Sequence, residues 1–217
     1  MKMTKKKVFV VAIAVCLIAV LSMSTLAWFS ASDDVTNKFY VADSETDADE
    51  IFSVDVWEYV NGEQTKDDDG AEFTNIYPSA RYHKEPYVEN TGKYDQWIRV
   101  KVTVTDANAW IALFNQYGFK LADLFEGHDE AAWDREFDEG YDSAANTYTA
   151  TYYLNYKLEP GKTAGIFNTV VIPEEFTQED LAQFKGGFEL NILAEAVQAD
   201  NNGTTAREGF AVYPAQP

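Results

Sequence analysis

The stretch Trp97-Ile98-Arg99-Val100-Lys101-Val102-Thr103-Val104 alternates apolar and polar residues, and every second residue from Ile98 to Val104 is apolar and β-branched. Successive side chains of a β-strand point to opposite faces, so this pattern predicts a strand with one apolar and one polar face. Such a strand is typical of an antiparallel sheet that is covered by a core on one side.

The same period of two recurs elsewhere in the chain, in Phe52–Val56, Tyr148–Leu158 and Phe188–Ala196. Between these segments lie residues that favour turns. Glu159-Pro160-Gly161-Lys162 has Pro and Gly at the centre and predicts a type II turn, followed by a strand at Ala164–Ile172. Further turns are indicated at Asn61-Gly62, Asp69-Gly70 and Thr91-Gly92. The chain therefore reads mainly as strands joined by tight turns.

A few segments carry helical signals instead. Thr177-Gln178-Glu179-Asp180 resembles a capping box, which predicts a short helix that runs to about Lys185 and ends at Gly186-Gly187. Helical spacing also appears in Ala107–Tyr117 and in part of Leu121–Phe137. We predict an all-β fold over residues 43–199: a jelly-roll-like antiparallel β-sandwich of roughly eight strands, with short helices in the connections. Residues 200–217 show no period, and we expect a flexible tail.

The first residues have the charge order of an export signal. Four lysines precede the apolar run Val8–Leu21, which is shorter than the roughly 20 residues of a membrane-spanning helix. Small residues then follow in Thr25-Leu26-Ala27. We predict that residues 1–27 are a signal peptide, cut between Ala27 and Trp28, and that the protein is secreted. Cleavage after Ala31 and an uncleaved signal anchor are the alternatives.

Cysteine content and charge exclude several classes of function. The single cysteine, Cys16, lies within the predicted signal, so the exported chain has no disulfide, thiol nucleophile or thiolate metal ligand. Removal of residues 1–27 takes away four lysines and no acid, which changes the formal net charge from −19 to −23. So acidic a chain is not expected to bind nucleic acid, and we expect it to meet the membrane only during export.

A pattern of small, aromatic and amide residues spans the junction between signal and mature chain, at Ala27, Phe29, Asn37, Phe39, Val41 and Ala42. Further motifs follow in Asn75–Pro78, Lys84–Gly92, Trp97–Val102, Leu158–Gly161 and Ala194–Ala199. In these features the chain resembles the TasA/camelysin family of Gram-positive secreted proteins, with Ser79 where the family commonly has Gly. The resemblance implies a secreted jelly-roll domain, a signal peptidase of the SipW type as a partner, and a place in biofilm-matrix fibres. Some members were described as metalloproteases.

Residues 28–42 form a candidate assembly segment. Cleavage would free an extended stretch whose site residues are Trp28, Phe29, Val35, Asn37, Phe39 and Val41. An extended segment can add as a strand to the open sheet edge of a neighbour, or it can fold as the first strand of its own sheet. We therefore predict a structural protein of the matrix or cell surface that assembles with itself and with other matrix proteins.

Other functions are less well supported by the residues present. The chain has no HExxH motif and only two histidines, His83 and His128, so we predict no enzyme, although the resemblance leaves a secreted metalloprotease as an alternative. We expect no cofactor. Calcium binding remains open because residues 43–50 and 66–70 are acidic. An EF-hand loop that starts at Asp43, however, needs Gly at its sixth position and Glu at its twelfth, and these positions are Ala48 and Val54. A glycan-binding adhesin, using the aromatic residues Trp110, Trp133 and Tyr141, is the last alternative.

Overall fold

A computed structural model describes residues 30–35, 53–60, 62–65, 73, 76–134, 138–184 and 187–211. The chain divides into one unit of residues Met1–Ser30 and a second of Ala31–Pro217, and the sandwich described below belongs to the second unit. Among the described residues, no helix is long and apolar enough to cross a membrane.

The described residues are mostly strands. In chain order they are β1 (Ser30–Val35), β2 (Val54–Val60), β3 (Glu63–Thr65), β4 (Arg81–Asn90), β5 (Gln96–Thr105), β6 (Phe125–Glu126), β7 (Asp138–Asp142), β8 (Thr147–Tyr153), β9 (Thr163–Gly165), β10 (Thr169–Val171) and β11 (Leu190–Gln198). The helices are α1 (Ala107–Tyr117), a 3-10 helix (Leu121–Leu124), α2 (Gln178–Leu181) and α3 (Ala206–Ala211).

These strands form two sheets. Sheet I has the order β1-β11-β5-β8-β7, and sheet II has the order β3-β2-β4-β10-β6, with β9 also paired to β4. The ladders whose register is defined are antiparallel, including the long pairings of β5 with β11 and with β8. The prediction of an all-β fold built from antiparallel sheets is therefore confirmed.

The core lies between the inner faces of the two sheets. Ile98, Val100, Val102 and Val104 are completely buried, as the alternation of the β5 sequence predicts. They belong to one continuous cluster with residues of sheet II such as Val88. A period of two thus places one apolar row of each strand in a shared core, whose burial stabilises the fold by about 25 cal/mol for each Å² of apolar surface.

The predicted type II turn is also confirmed. Gly161 has φ +68°, and the Lys162 amide donates to the Glu159 carbonyl over 3.1 Å. The strand expected at Ala164–Ile172, however, is divided into β9 and β10. Both pair with β4, but at different places along it.

The division has a physical reason in β4. Pro86 lies in the middle of this central strand and has no amide proton to donate. Its carbonyl accepts from Ile166 (3.0 Å), and the Lys84 amide donates to Asn168 (3.2 Å), so this side of β4 faces residues 166–168. The amide proton that Pro86 lacks would have faced residues 166–168. Regular pairing is therefore interrupted there, between β9 and β10.

The helices agree with the sequence in part. Helix α1 has the predicted bounds, and Thr177 caps α2 with the reciprocal capping box that its sequence predicts. Helix α2 ends at Leu181, before the Lys185 that we expected. Within the described part of Leu121–Phe137, residues 121–134, the chain forms the short 3-10 helix and then β6, and Gly127 with φ +71° turns the chain after that strand.

We expected a flexible tail from residue 200, but the structure has helix α3 at residues 206–211. Helix α3 packs its Ala206 and Phe210 onto the outer face of sheet I, where they contact Trp97, Tyr153 and Val197. With six residues the helix is too short to show a periodic pattern, so its packing had no sequence signal. Residues 212–217 lie outside the described residues.

Candidate assembly edge and other candidate sites

The outermost strand of sheet I is β1, which lies beside β11. Among the predicted site residues, Val35 is the last residue of β1. The predicted cleavage site at Ala27 and Trp28 lies outside the described residues, and so do the site residues Phe29, Asn37, Phe39 and Val41.

The backbone of β11 has one side toward β5 and the other toward β1. The Ala199 amide donates to Asp95, and the Glu189 carbonyl accepts from the Thr105 amide, so the odd-numbered residues direct their backbone groups to β5. Backbone groups of alternate residues in a strand point to opposite sides. Ile192, Ala194 and Ala196 therefore direct their amides and carbonyls toward β1, while their side chains line the core.

The other sheet edges are less suited to receive a strand. At the far edge of sheet I, β7 has the sequence Asp-Glu-Gly-Tyr-Asp, with three acids in five residues. Charged residues on an edge strand oppose pairing with a further strand. Sheet II ends in β3, of three residues, and β6, of two. If β1 were displaced, β11 would become an edge that combines length with an apolar inner row, unlike the other described edges.

Ion pairs fix the outer face of β11 to β5. Glu195 contacts Arg99 at 2.5 Å and Lys101 at 2.9 Å. Burial by itself raises the pKa of the Glu195 carboxyl, but the hydrogen bonds from Arg99 and Lys101 outweigh burial and hold this pKa below its ordinary value. The carboxylate is thus ionised at neutral pH and holds β11 in register with β5.

The two histidines do not form a site together. His83, on the outer face of β4, lies 3.1 Å from Glu85. His128 has its Nδ1 2.8 Å from the Ile166 carbonyl, and its ring packs against Tyr152. No group of three or more His, Cys, Asp or Glu residues that could hold a metal occurs within the described ranges. The acidic stretches 43–50 and 66–70 lie outside those ranges.

Two of the three aromatic residues named for the glycan-binding alternative lie in the core. Trp110 and Trp133 are both 0% exposed. Trp133 donates its Nε1 proton to the Gly165 carbonyl over 2.7 Å, which satisfies its polar atom inside the protein. Tyr141 is exposed, and its hydroxyl donates to Asn108. Of the three residues named for this alternative, Tyr141 alone is exposed.

An apolar groove of about 370 Å³ lies beside α2. Its described walls have no charged side chain and consist of Phe73, Ile76, Gln178, Leu181, Ala182, Phe184, Gly187 and Phe188. The groove therefore supplies no general acid, base or nucleophile from these walls.

Sequence reasoning missed a buried ion pair between Glu58 of β2 and Lys84 of β4. The signal was present, because Glu58 occupies the same alternate row as Val54 and Val56, which a half-buried strand turns toward the core. A charged residue in an apolar row is the pattern that could have revealed it.

No protein family, curated protein or solved structure matches this chain.

Proposed function

We propose that the protein is a secreted structural subunit of the extracellular matrix or cell surface, which assembles by strand addition between subunits. The observation that carries the proposal is the position of β1. It is the first described strand after the predicted cleavage site and forms the outer edge of sheet I beside β11. A chain whose own N-terminal residues cover a sheet edge has a surface that the same residues of another copy fit.

In this mechanism, residues 28–42 of one subunit replace β1 on β11 of the next. The edge amides and carbonyls of Ile192, Ala194 and Ala196 bind the incoming backbone. Alternate side chains of the incoming segment, Val35, Phe39 and Val41, extend the apolar row of the core. Two different surfaces meet in this contact, so repetition produces a fibre rather than a closed dimer.

Exchange is favoured because β1 is a poor strand by composition. Its sequence, Ser-Ala-Ser-Asp-Asp-Val, has two adjacent aspartates and only two apolar residues. Residues Val35–Val41 alternate better and contain Phe39 and Tyr40. Because cross-strand apolar pairs stabilise a sheet by about 0.2–1 kcal/mol each, a donated segment that pairs its residues Val35–Val41 with β11 binds more tightly than β1 does.

We further propose that the sandwich is a jelly roll. From β4 onward most consecutive strands alternate between the sheets: β4, β6 and β10 belong to sheet II, and β5, β8 and β11 belong to sheet I. This order requires the chain to cross repeatedly between the sheets, as two Greek keys do. The proposed partners are other copies, further matrix proteins and a signal peptidase of the SipW type, with no nucleic acid.

The proposal is tested with two versions of the protein, Trp28–Pro217 and Asp43–Pro217. Light scattering over time at a fixed concentration should show growth for the longer version only. A matched control is the longer version with Phe39→Asp and Val41→Asp, which keeps the length but removes the apolar row and should stay monomeric. Equal light scattering of all three proteins over time would contradict strand donation by the N-terminal segment.

A further inference from the structure

The ion pair of Glu58 and Lys84 lies on the core side of sheet II. In the ladder of β2 and β4, Val60 is opposite Lys84 and Glu58 is opposite Pro86, so the two charged residues are diagonal neighbours on one face. The side chains are 3% exposed for Glu58 and 2% for Lys84, and Lys84 Nζ lies 2.5 Å from Glu58 Oε2. Both reactive ends are therefore held together away from solvent.

Such a pair is costly as a purely ionic contact. Removing two charges from water costs several kcal/mol for each ion. Apolar residues of equal volume often stabilise the fold as much as a buried ion pair, or more. The neighbours in the same rows, Val56 and Val88, are apolar and buried, so the ion pair interrupts an otherwise apolar part of the sheet. The exported chain also lacks cysteine, so no disulfide can join its strands.

We propose that Lys84 and Glu58 are a self-modification site, at which an amide bond forms between Lys84 Nζ and Glu58 Cδ and joins β2 covalently to β4. The inference does not depend on the proposed function, because it concerns the interior of a single subunit.

The reaction needs no other reactant. Lys84 first passes one proton to the Glu58 carboxylate, which produces a neutral amine and a carboxylic acid. The Nζ lone pair then forms the bond to Cδ, and the carbon–oxygen bond to the acid hydroxyl breaks. That hydroxyl leaves with a second proton from Nζ as water. One amide and one water molecule account for all the atoms, and no group is oxidised or reduced.

Position and desolvation both favour this reaction over the ion pair. Holding the two groups in contact gives an effective concentration that can reach about 10⁵–10⁸ M. The neutral amide also removes two charges from the core. The exposed pair of Lys157 and Asp200, 3.3 Å apart with side chains 40% and 59% exposed, lacks both advantages because water solvates each ion. It serves as an internal control.

The test is mass spectrometry of the folded, purified protein after denaturation. The intact mass should be lower than the sequence mass by the mass of one water. Trypsin should leave Lys84 uncut and yield a branched peptide that joins residues 39–66 to residues 82–93. The peptides that contain Lys157 and Asp200 should have their unlinked masses.

A second variant separates a covalent role from an ionic one. Lys84→Arg keeps a positive charge near Glu58 but has no amine that forms a stable amide, so its mass should equal the sequence value and its urea midpoint should fall well below that of the wild type. An unshifted wild-type mass, with Lys84 cut by trypsin in the denatured protein, would overturn the proposal whatever the variants do.

Discussion

At the residue scale, Asn90 is the polar residue on which one end of the sandwich depends. Its amide donates to the carbonyls of Tyr94 (2.8 Å) and Leu158 (2.7 Å), and its Oδ1 accepts from the Gly92 amide (3.0 Å). One buried side chain thus joins the β4–β5 turn to the loop after β8. These hydrogen bonds give a structural reason for an Asn at this position of the Lys84–Gly92 motif.

Replacing Asn90 with Ala should lower the free energy of unfolding by about 3 kcal/mol, because buried backbone groups lose their partners. Urea denaturation followed by circular dichroism measures the change. Asn155→Ala is the matched control, since its side chain is exposed and makes only a 3.4 Å contact with Ala131. A loss for Asn90→Ala no larger than that of the control would refute this role.

Ser79 adopts a backbone conformation that glycine prefers, with φ +68°. A left-handed conformation costs a residue with a Cβ atom roughly 1–2 kcal/mol, and glycine escapes this cost at some loss of entropy. Ser79→Gly should therefore raise the free energy of unfolding by about 0.5–1 kcal/mol. Thermal unfolding would show a higher midpoint for Ser79→Gly and no gain for Ser79→Ala. A gain for both would contradict the backbone explanation.

Glu195 should make stability depend on pH in acid. Because its pKa is lower in the folded protein than the ordinary 4.5, its contribution is complete above about pH 4.5 and is lost as the pH falls through the folded value. The stability difference between the wild type and Glu195→Gln should therefore shrink between pH 5 and pH 3. Urea titrations at several pH values measure it, and a difference that is equal at pH 5 and pH 3 would contradict this role of Glu195.

At the scale of elements, α3 is held against sheet I by close contact at Gly209. A Cβ atom there would lie 2.7 Å from Trp97 Cδ1 and 3.2 Å from the Asn202 carbonyl. Trp97 in turn donates its Nε1 proton to that carbonyl. Helix α3 therefore docks only because this residue has no side chain.

Gly209→Ala should separate α3 from the sheet and cost about 1–3 kcal/mol. Hydrogen exchange would show faster exchange in residues 206–211, with β5 and β8 unchanged in their inner parts. Ala211→Ser is the control, because Ala211 is exposed at the end of the helix. Protection of α3 equal to that of the wild type would show that the contact at Gly209 can relax.

The elements that could be predicted are those whose cause is local. The alternation of Ile98–Val104 and the Pro-Gly pair of the turn at residues 159–162 specify their own geometry. The division of β9 from β10 depends on Pro86, a residue of another strand. Eleven strands are described where we expected roughly eight, because β3, β6, β9 and β10 have only two or three residues.

The candidate site was less predictable than the fold. The sequence does not distinguish a tryptophan in the core from one on the surface. Trp110 and Trp133 are buried by the packing of α1 and of the loop before β7. The partner of Glu58 is set by the pairing of β2 with β4, which sequence alone does not reveal. Of the assembly segment, Val35 is placed at the end of β1, and the remaining site residues stay predictions.

At the scale of the whole molecule, the proposed assembly requires a sandwich with one sheet edge that is suited to another copy. The edge at β7 is acidic and those of sheet II are short, while β11 has nine residues and an apolar inner row. Growth through a single edge gives fibres without branches. Raising the salt concentration, which screens charges at β7, should increase side-by-side association of fibres in light scattering and electron micrographs without changing single-fibre width.

The most direct test of the central claim uses the version Asp43–Pro217 and a free peptide of residues 28–42. Hydrogen exchange is followed at single amides, with and without the peptide. The account predicts one bound peptide per protein and new protection at Ile192, Ala194 and Ala196, the residues whose amides face the β1 side of β11. A peptide with Phe39→Asp and Val41→Asp should give none. No binding, or protection along β7 instead of β11, would contradict the account.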